Sequence, residues 1–418
     1  MADDATTKQT DVIVLGAGMV GVSSALSARE RGMSVTLVDR REPGSETSYG
    51  NAGIISSGSI FPLNTPALFE ALPKYLSNSH PALRWNLGWS IRNADWIMRF
   101  LANAFPAQTK PRAAALRGLS ATSLKLHRDW IVKAGAPQRI RETGWLKAWR
   151  GDVTASAKAQ QAALAEFGIK SEVLDRQAIS ALEPNILPVY RTGILHTETA
   201  SVDSPGNVVK AYAKMFAGAG GQIRSSDIKS ITPVGEGWRV VLSDGEIFGR
   251  HVVVALGPWS ADLLRSLGYR APLAFERGYH QEFKPNPARQ LLRPIHDADI
   301  GFLMSPMEQG IRVTSGVELT DRDAPSNFAQ LEASAAAARS VVEFGEAVAQ
   351  PWRGARPTLP DSLPMIGPAP RHRGLWLAFG HQHIGFTTGA GTGAAIAAMI
   401  GGAPPPFDVT AFAPSRYL

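Results

Sequence analysis

The 418-residue chain contains no cysteine. That absence excludes disulfides, thiolate metal sites, iron–sulfur clusters and any prosthetic group tethered through a thioether. Charge is sparse too: 19% of residues are charged, against about 25% in ordinary domains. The apolar share of 44% is nevertheless normal, so the chain can bury a core and is not disordered. There is no acidic excess. The formal net charge is +7, and basic residues fall in short pairs such as Arg40-Arg41 instead of a dense run. This reads as a solvated basic surface, with no nucleic-acid partner expected. Long apolar runs are missing as well. The stretches near 12–28 and 384–400 are broken by glycines, so no spanning helix is expected. The opening MADDATTKQT carries two acids and no apolar core, which predicts no signal peptide and a cytoplasmic location.

The length suggests two domains of common size, and no internal repeat is visible. Residues from Asp11 read as strand, glycine turn, helix and strand, with Gly32 ending the helix. Residues 61–195 show helical spacing of apolar residues in several segments. From 196 to 268 the pattern returns to helix and strand, with a hairpin expected at Asp244-Gly245. Strands dominate 269–351 before an Ala-rich helix. The last part offers a strand, LWLAFG, then a glycine-rich turn opening a second Ala-rich helix.

The strongest local signal is Gly16-Ala17-Gly18-Met19-Val20-Gly21. The first glycine suits a tight turn, the second lets backbone approach a pyrophosphate, and the third lets helix pack on strand. Asp39, with Arg40 beside it, ends the second strand where a carboxylate can hold ribose hydroxyls. This spacing does not separate NAD from FAD. Two further features favour FAD. Val252–Gly257, entering Pro258-Trp259-Ser260, suits a second dinucleotide-contact strand, although an ordinary core strand would look the same. The C-terminal segment from Gly380 through His381, His383, Ile384, Gly385, Thr387 and Thr388 supplies a second glycine-rich loop. A helix N-terminus there would stabilise charge on a reduced flavin.

Six segments in order resemble the D-amino-acid oxidase (DAO) superfamily of FAD-dependent oxidoreductases, and within it the bacterial D-amino-acid dehydrogenase branch. They are VIVLGAGMVGVSSAL, Ser48–Gly53, VVVALGPWS, Glu276–His280, Gly354–Asp361 and GHQHIGFTTGAGTG. The resemblance implies an α/β fold: a discontinuous Rossmann-type FAD-binding domain (8–60, 196–268 and 352–418) and an α+β substrate domain (61–195 and 269–351). The second domain would carry a mixed sheet and a helical insertion. FAD would be non-covalent and held by the glycine turn, Ser48, Asn51, Ala52, Gly53, Ala255, Gly257, Trp259 and the C-terminal loop. Ile228 would reach the adenine side through its backbone. Arg356 would pair with a substrate carboxylate, a role its planar guanidinium suits, though a structural salt bridge is the alternative. Tyr279, His280 and His383 become candidate substrate neighbours, and no metal is expected.

The implied reaction passes hydride from the α-carbon of an amino acid, D-configured by preference, to flavin N5. The resulting imine would hydrolyse to a 2-oxo acid and ammonia. The alternative substrate is a secondary amine such as sarcosine, a proline derivative or an opine, possibly within a larger complex. Electrons would leave to a quinone, a protein or oxygen. One departure stands out: Phe302 occupies a place where family oxidases often carry a tyrosine hydroxyl. Trp85, Trp89 and Trp96, interleaved with Arg84, Arg92 and Arg99, allow a peripheral membrane contact, but the plainer expectation is that the tryptophans are core.

Overall fold

The computed structural model describes residues 10–418. Its first sheet grows from the Thr10–Leu15 strand, the Met19–Glu30 helix and the Val35–Asp39 strand. Thr10–Leu15 pairs in parallel with Val35–Asp39 on one side and with the Gly245–Val254 strand on the other. Gln222–Ser225 and Leu375–Phe379 extend the parallel part. The early half of Gly245–Val254 turns back antiparallel against Gly237–Leu242, which forms the expected hairpin. Alternate residues of a strand face opposite sides. Val12 and Val14 therefore enter a core with the helices Met19–Glu30, Pro205–Gly218 and Gly385–Ile400. Ile13 and Leu15 enter a second core with Trp238, Val252 and Leu377.

The second sheet is larger and mixed. The Ala274–Pro285 strand lies at its centre, flanked by Gly310–Thr314 and Val317–Leu319 on one edge and Trp352–Thr358 on the other. Phe302–Met307, Ile295–Asp297, Trp145–Trp149, Thr192–His196 and Ser171–Asp175 continue it outward. Span 61–195 is thus less helical than its sequence pattern suggests, because four strands that start within it, Leu83–Trp85 among them, join this sheet.

The 28-residue helix Pro106–Lys133 also lies in that span, yet it packs on the other unit. Leu116, Leu119, Trp130 and Ile131 belong to the core beneath the parallel sheet. Its grip on the Gly385–Ile400 helix is specific. The Ser123 hydroxyl accepts from Gly391 N at 2.9 Å, and His127 Nε2 lies 3.1 Å from the carbonyls of both Phe386 and Thr387. Carbonyls only accept, so Nε2 carries the proton and Nδ1 accepts from the Tyr212 hydroxyl at 3.1 Å.

Glycines 389, 391 and 393 do not form the loop their clustering suggests. The helix has already begun at Gly385. A Cβ on Gly391 would sit 2.5 Å from Ser123 Oγ, and one on Gly389 2.6 Å from Met19 Cγ. These glycines let three helices approach one another.

Trp89 and Trp96 are buried with Ala274 in a small apolar cluster, so the core expectation for them holds. Arg92 is paired with Asp321 and Arg99 with Asp95. No helix among the described residues is long and apolar enough to cross a membrane.

Candidate active site

One cavity of about 790 Å³ runs from the first glycine turn to the mixed sheet, within the roughly 300–1,000 Å³ usual for ligand sites. At one end Gly16, at φ 104°, turns the chain between strand and helix. A Cβ there would collide with the Ala255 carbonyl. The helix begins at Met19 with Gly18 as its cap, and Gly18 offers no side-chain acceptor. The first-turn N–H groups are therefore available to an anion, apart from that of Met19, which donates to Ser48 Oγ at 2.9 Å. Asp39 accepts from Ala17 N at 2.7 Å and Arg41 N at 3.0 Å, which fixes its carboxylate at the cavity wall. The Arg40 guanidinium lies 4.9 Å from the Trp259 ring centroid, closing this end. Ile228 borders the same space just before a register shift in its strand.

Most residues expected to hold a cofactor line this cavity: Gly16, Gly18, Met19, Val20, Asp39, Arg40, Ser48, Asn51, Ala52, Ile228, Ala255, Gly257, Trp259, His381, Ile384, Gly385 and Thr387. Four do not. Gly21 is pressed against the Gly16 carbonyl, and Gly53 against the Val202 carbonyl. Gly380 packs on Leu359. The Thr388 hydroxyl donates to Ile384 O at 2.8 Å inside its own helix. These four shape the walls from behind.

At the other end, Arg356 crosses over Gly278, whose absent Cβ would lie 2.5 Å from the guanidinium. Among the described residues the Arg356 side chain has no hydrogen-bond partner. Burial lowers its pKa, and the charge of Glu276 opposes that shift. Glu276 faces Arg356 across the strand pair and accepts from Thr358 Oγ1 at 2.9 Å. Burial raises the Glu276 pKa, partly offset by Arg356.

His383 lines the cavity and keeps an exposed ring there, and desolvation by the surrounding protein, then the Arg356 charge, push its pKa down to about 4. His381 is instead held at 3.0 Å from Thr392 Oγ1 and is pushed by burial to about 3.

Two expected substrate residues are placed differently. Tyr279 borders the cavity, but its hydroxyl is committed elsewhere. It donates to Glu318 at 2.5 Å and accepts from Arg277 and from Asn327 N. His280 does not line the cavity; it is stacked on Trp352 at 5.0 Å between rings, with Tyr49 beyond. Strand alternation explains the slip: Glu276 and Gly278 share the cavity face, and Tyr279 points the other way. His280 shares that face but lies too far along it.

Sequence reasoning also missed His296 and Trp145, both of which line the cavity. His296 stands in the short strand Ile295–Asp297, and no spacing partner near it in sequence reveals it. Phe302 lines the same end from the core beside Leu146 and Met304, with no hydroxyl to offer.

A parallel nucleotide-binding sheet and a mixed sheet, with one long cavity between them, define an enzyme of the dinucleotide-dependent class. Residues 11–399 match the DAO family, described as FAD dependent oxidoreductase. The chain belongs to that family, and its cofactor is FAD. It is 30% identical over 418 residues to a D-amino-acid oxidase of Bradyrhizobium diazoefficiens, covering 97% of this chain and 99% of the relative. It is 31% identical over 429 residues to a D-amino acid dehydrogenase of Rhizobium johnstonii, with the same two coverages. The fold matches glycine oxidase from Geobacillus kaustophilus with a TM-score of 0.75 and 19% identity, over 98% of this chain and 99% of that one.

The residues present fit FAD. A bare glycine turn and an uncapped helix N-terminus suit its pyrophosphate, and Asp39 suits a ribose. The Gly385–Ile400 N-terminus suits the pyrimidine edge of the ring.

Proposed function

We propose that this enzyme dehydrogenates the carbon–nitrogen bond of an amino acid, a D-amino acid by preference, to an imine that water converts to a 2-oxo acid. The observation that carries this reading is Arg356: a guanidinium reaching into the cavity with no protein partner among the described residues. Such a group orients a carboxylate bidentately. Bound FAD supplies the two-electron acceptor chemistry. The protein's part is position and dryness. Gly278 gives the guanidinium its place, Glu276 holds its charge in balance, and Phe302 with Leu303 excludes water from one wall. Burial holds His383 neutral with a lowered pKa, which makes it a poor proton acceptor, so the substrate amine reacts in its deprotonated form.

We assign cofactor contacts to the glycine turn, Asp39, Ser48, Asn51, Ala52, Ile228, Ala255 and the 381–387 loop. Segments 8–60, 196–268 and 352–418 build the cofactor portion, and 61–195 with 269–351 the substrate portion, the Pro106–Lys133 helix excepted. The second reading, a secondary amine substrate, rests on the same arginine and the same cavity. The acceptor is a quinone, an electron-transfer protein or oxygen.

Anaerobic bleaching of the flavin absorbance by paired D- and L-amino acids, sarcosine and D-proline tests the assignment. Bleaching by D-amino acids supports the main reading, and bleaching by sarcosine or D-proline alone supports the second. A yellow protein that no amine or amino acid bleaches defeats both. Reoxidation by air, or only by a dye, then sorts oxidase from dehydrogenase.

A further inference from the structure

Beyond Arg356 the cavity wall, and the strand behind it, hold cationic or N–H-bearing side chains with few protein partners. His296 and His383 both line the cavity, and among the described residues neither ring makes a hydrogen bond. They are close enough for the charge of one to depress the pKa of the other. Behind them Lys147 sits opposite His296 in the strand pair Trp145–Trp149 and Ile295–Asp297. Its ammonium has only Gln160 at 3.4 Å and the Trp149 ring at 5.0 Å, with no carboxylate partner among the described residues. Trp145 stacks on His196 at 4.5 Å, and both Trp145 Nε1 and His196 Nδ1 are buried without a partner.

The neighbouring carboxylates do not compensate. Asp297 alternates to the other face of its strand, where Arg150 at 2.9 Å and Tyr190 at 3.2 Å engage it. Glu276 stands with Arg356 and Thr358.

A ligand that fills the cavity removes water from both rings, and polar groups left unpaired in a closed site are costly, so the site rejects ligands unable to pair them. Burial and Lys147 push His296 to about 3, and burial and Arg356 push His383 to about 4. An anion arriving between the rings would reverse both pressures, because it favours the protonated form and accepts its N–H. A neutral side chain would relieve neither. The hydroxyl missing at Phe302 fits the same picture, since polar recognition has moved to the adjacent strand.

We propose that the substrate carries a second carboxylate, received by His296 and His383, so that the site selects amino- or imino-dicarboxylates over neutral amino acids. This rests on Arg356 holding the first carboxylate, but it concerns binding and can be tested apart from turnover.

The test uses the FAD-loaded enzyme under anaerobic conditions. Dissociation constants are read from perturbation of the flavin spectrum, and reduction is read separately from bleaching. Two acid series are compared with their amides: aspartate and glutamate of either hand against asparagine and glutamine, and iminodiacetate against its monoamide. Each acid should bind at least about tenfold more tightly than its amide, as a charge-assisted hydrogen bond implies. The His296→Gln variant, checked for wild-type FAD content and Tm, should abolish that difference. The series showing the larger preference identifies whether the second carboxylate sits on the side chain or on nitrogen. Equal binding of acid and amide overturns the inference, as does a preference that survives His296→Gln. Tight dicarboxylate binding without bleaching would sustain the inference while removing the amine-oxidation reading. Bleaching by neutral D-amino acids with no acid preference would do the reverse.

Discussion

Gly16 shows how much one position can decide. Its φ of 104° and its contact with the Ala255 carbonyl leave no room for any side chain. Gly16→Ala should therefore be recovered with little or no flavin, measured as the ratio of 450 nm absorbance to protein. A normally yellow Gly16→Ala protein would mean that the pyrophosphate lies elsewhere. Arg356 makes the complementary case for substrate. Arg356→Ala should keep its FAD yet lose about 100-fold or more in kcat/KM for a carboxylate substrate, the scale of losing a buried charged partner. Unchanged kcat/KM would return Arg356 to a structural role. The glycines and Asp39 were legible because their chemistry imposes a spacing that linear sequence displays. His296 was not legible, since its neighbours in the cavity, His383 and Trp145, are remote in sequence. Tyr279 was misjudged by one step of strand parity, and His280 by its distance along the strand. A motif names a segment, but only the sheet decides which face looks inward.

At the scale of elements, the decisive contact is the clasp between two helices. Ser123 and His127 are one turn apart on Pro106–Lys133, so both meet the opening turns of Gly385–Ile400. His127→Leu would leave the Phe386 and Thr387 carbonyls and the Tyr212 hydroxyl without their partner, at a cost of about 1–3 kcal/mol. Because those carbonyls belong to the segment lining the cofactor cavity, we expect looser FAD as well, seen as flavin lost on gel filtration. Full FAD retention with unchanged stability would argue that the clasp is incidental. The sequence revealed both helices but not their meeting. Glycines 389, 391 and 393 read as loop because glycine in isolation disfavours helix by roughly 1 kcal/mol relative to alanine. Close helix packing outweighs that local cost, and packing partners 259 and 260 residues away in sequence leave no local trace.

The whole molecule buries several imidazoles in their neutral form. Burial pushes His127 and His196 to about 4 and His381 to about 3, below the ordinary 6.5. Between those values and 6.5 the unfolded chain binds more protons than the folded one, so stability rises with pH across that window. It is complete above pH 6.5 and is lost as the pH falls toward about 4. Tm should therefore drop steadily from pH 7 to pH 4.5, and His127→Gln should flatten part of the slope. A Tm that stays level or climbs on acidification would contradict this account. The two-sheet architecture was expected from motif order, whereas the side on which Pro106–Lys133 packs was not.

The cavity that holds the cofactor is assembled from segments beginning at Gly16 and ending at Thr387. During synthesis, the ribosome delivers the first glycine turn well before the opposing loop. The nascent chain must therefore keep a half-built pocket, with the apolar strands around Ile13 and Val252 waiting for Leu377, until that loop emerges. Cofactor capture must then wait for that loop, and flavin shortage would be felt as a surplus of empty chains exposed to proteolysis.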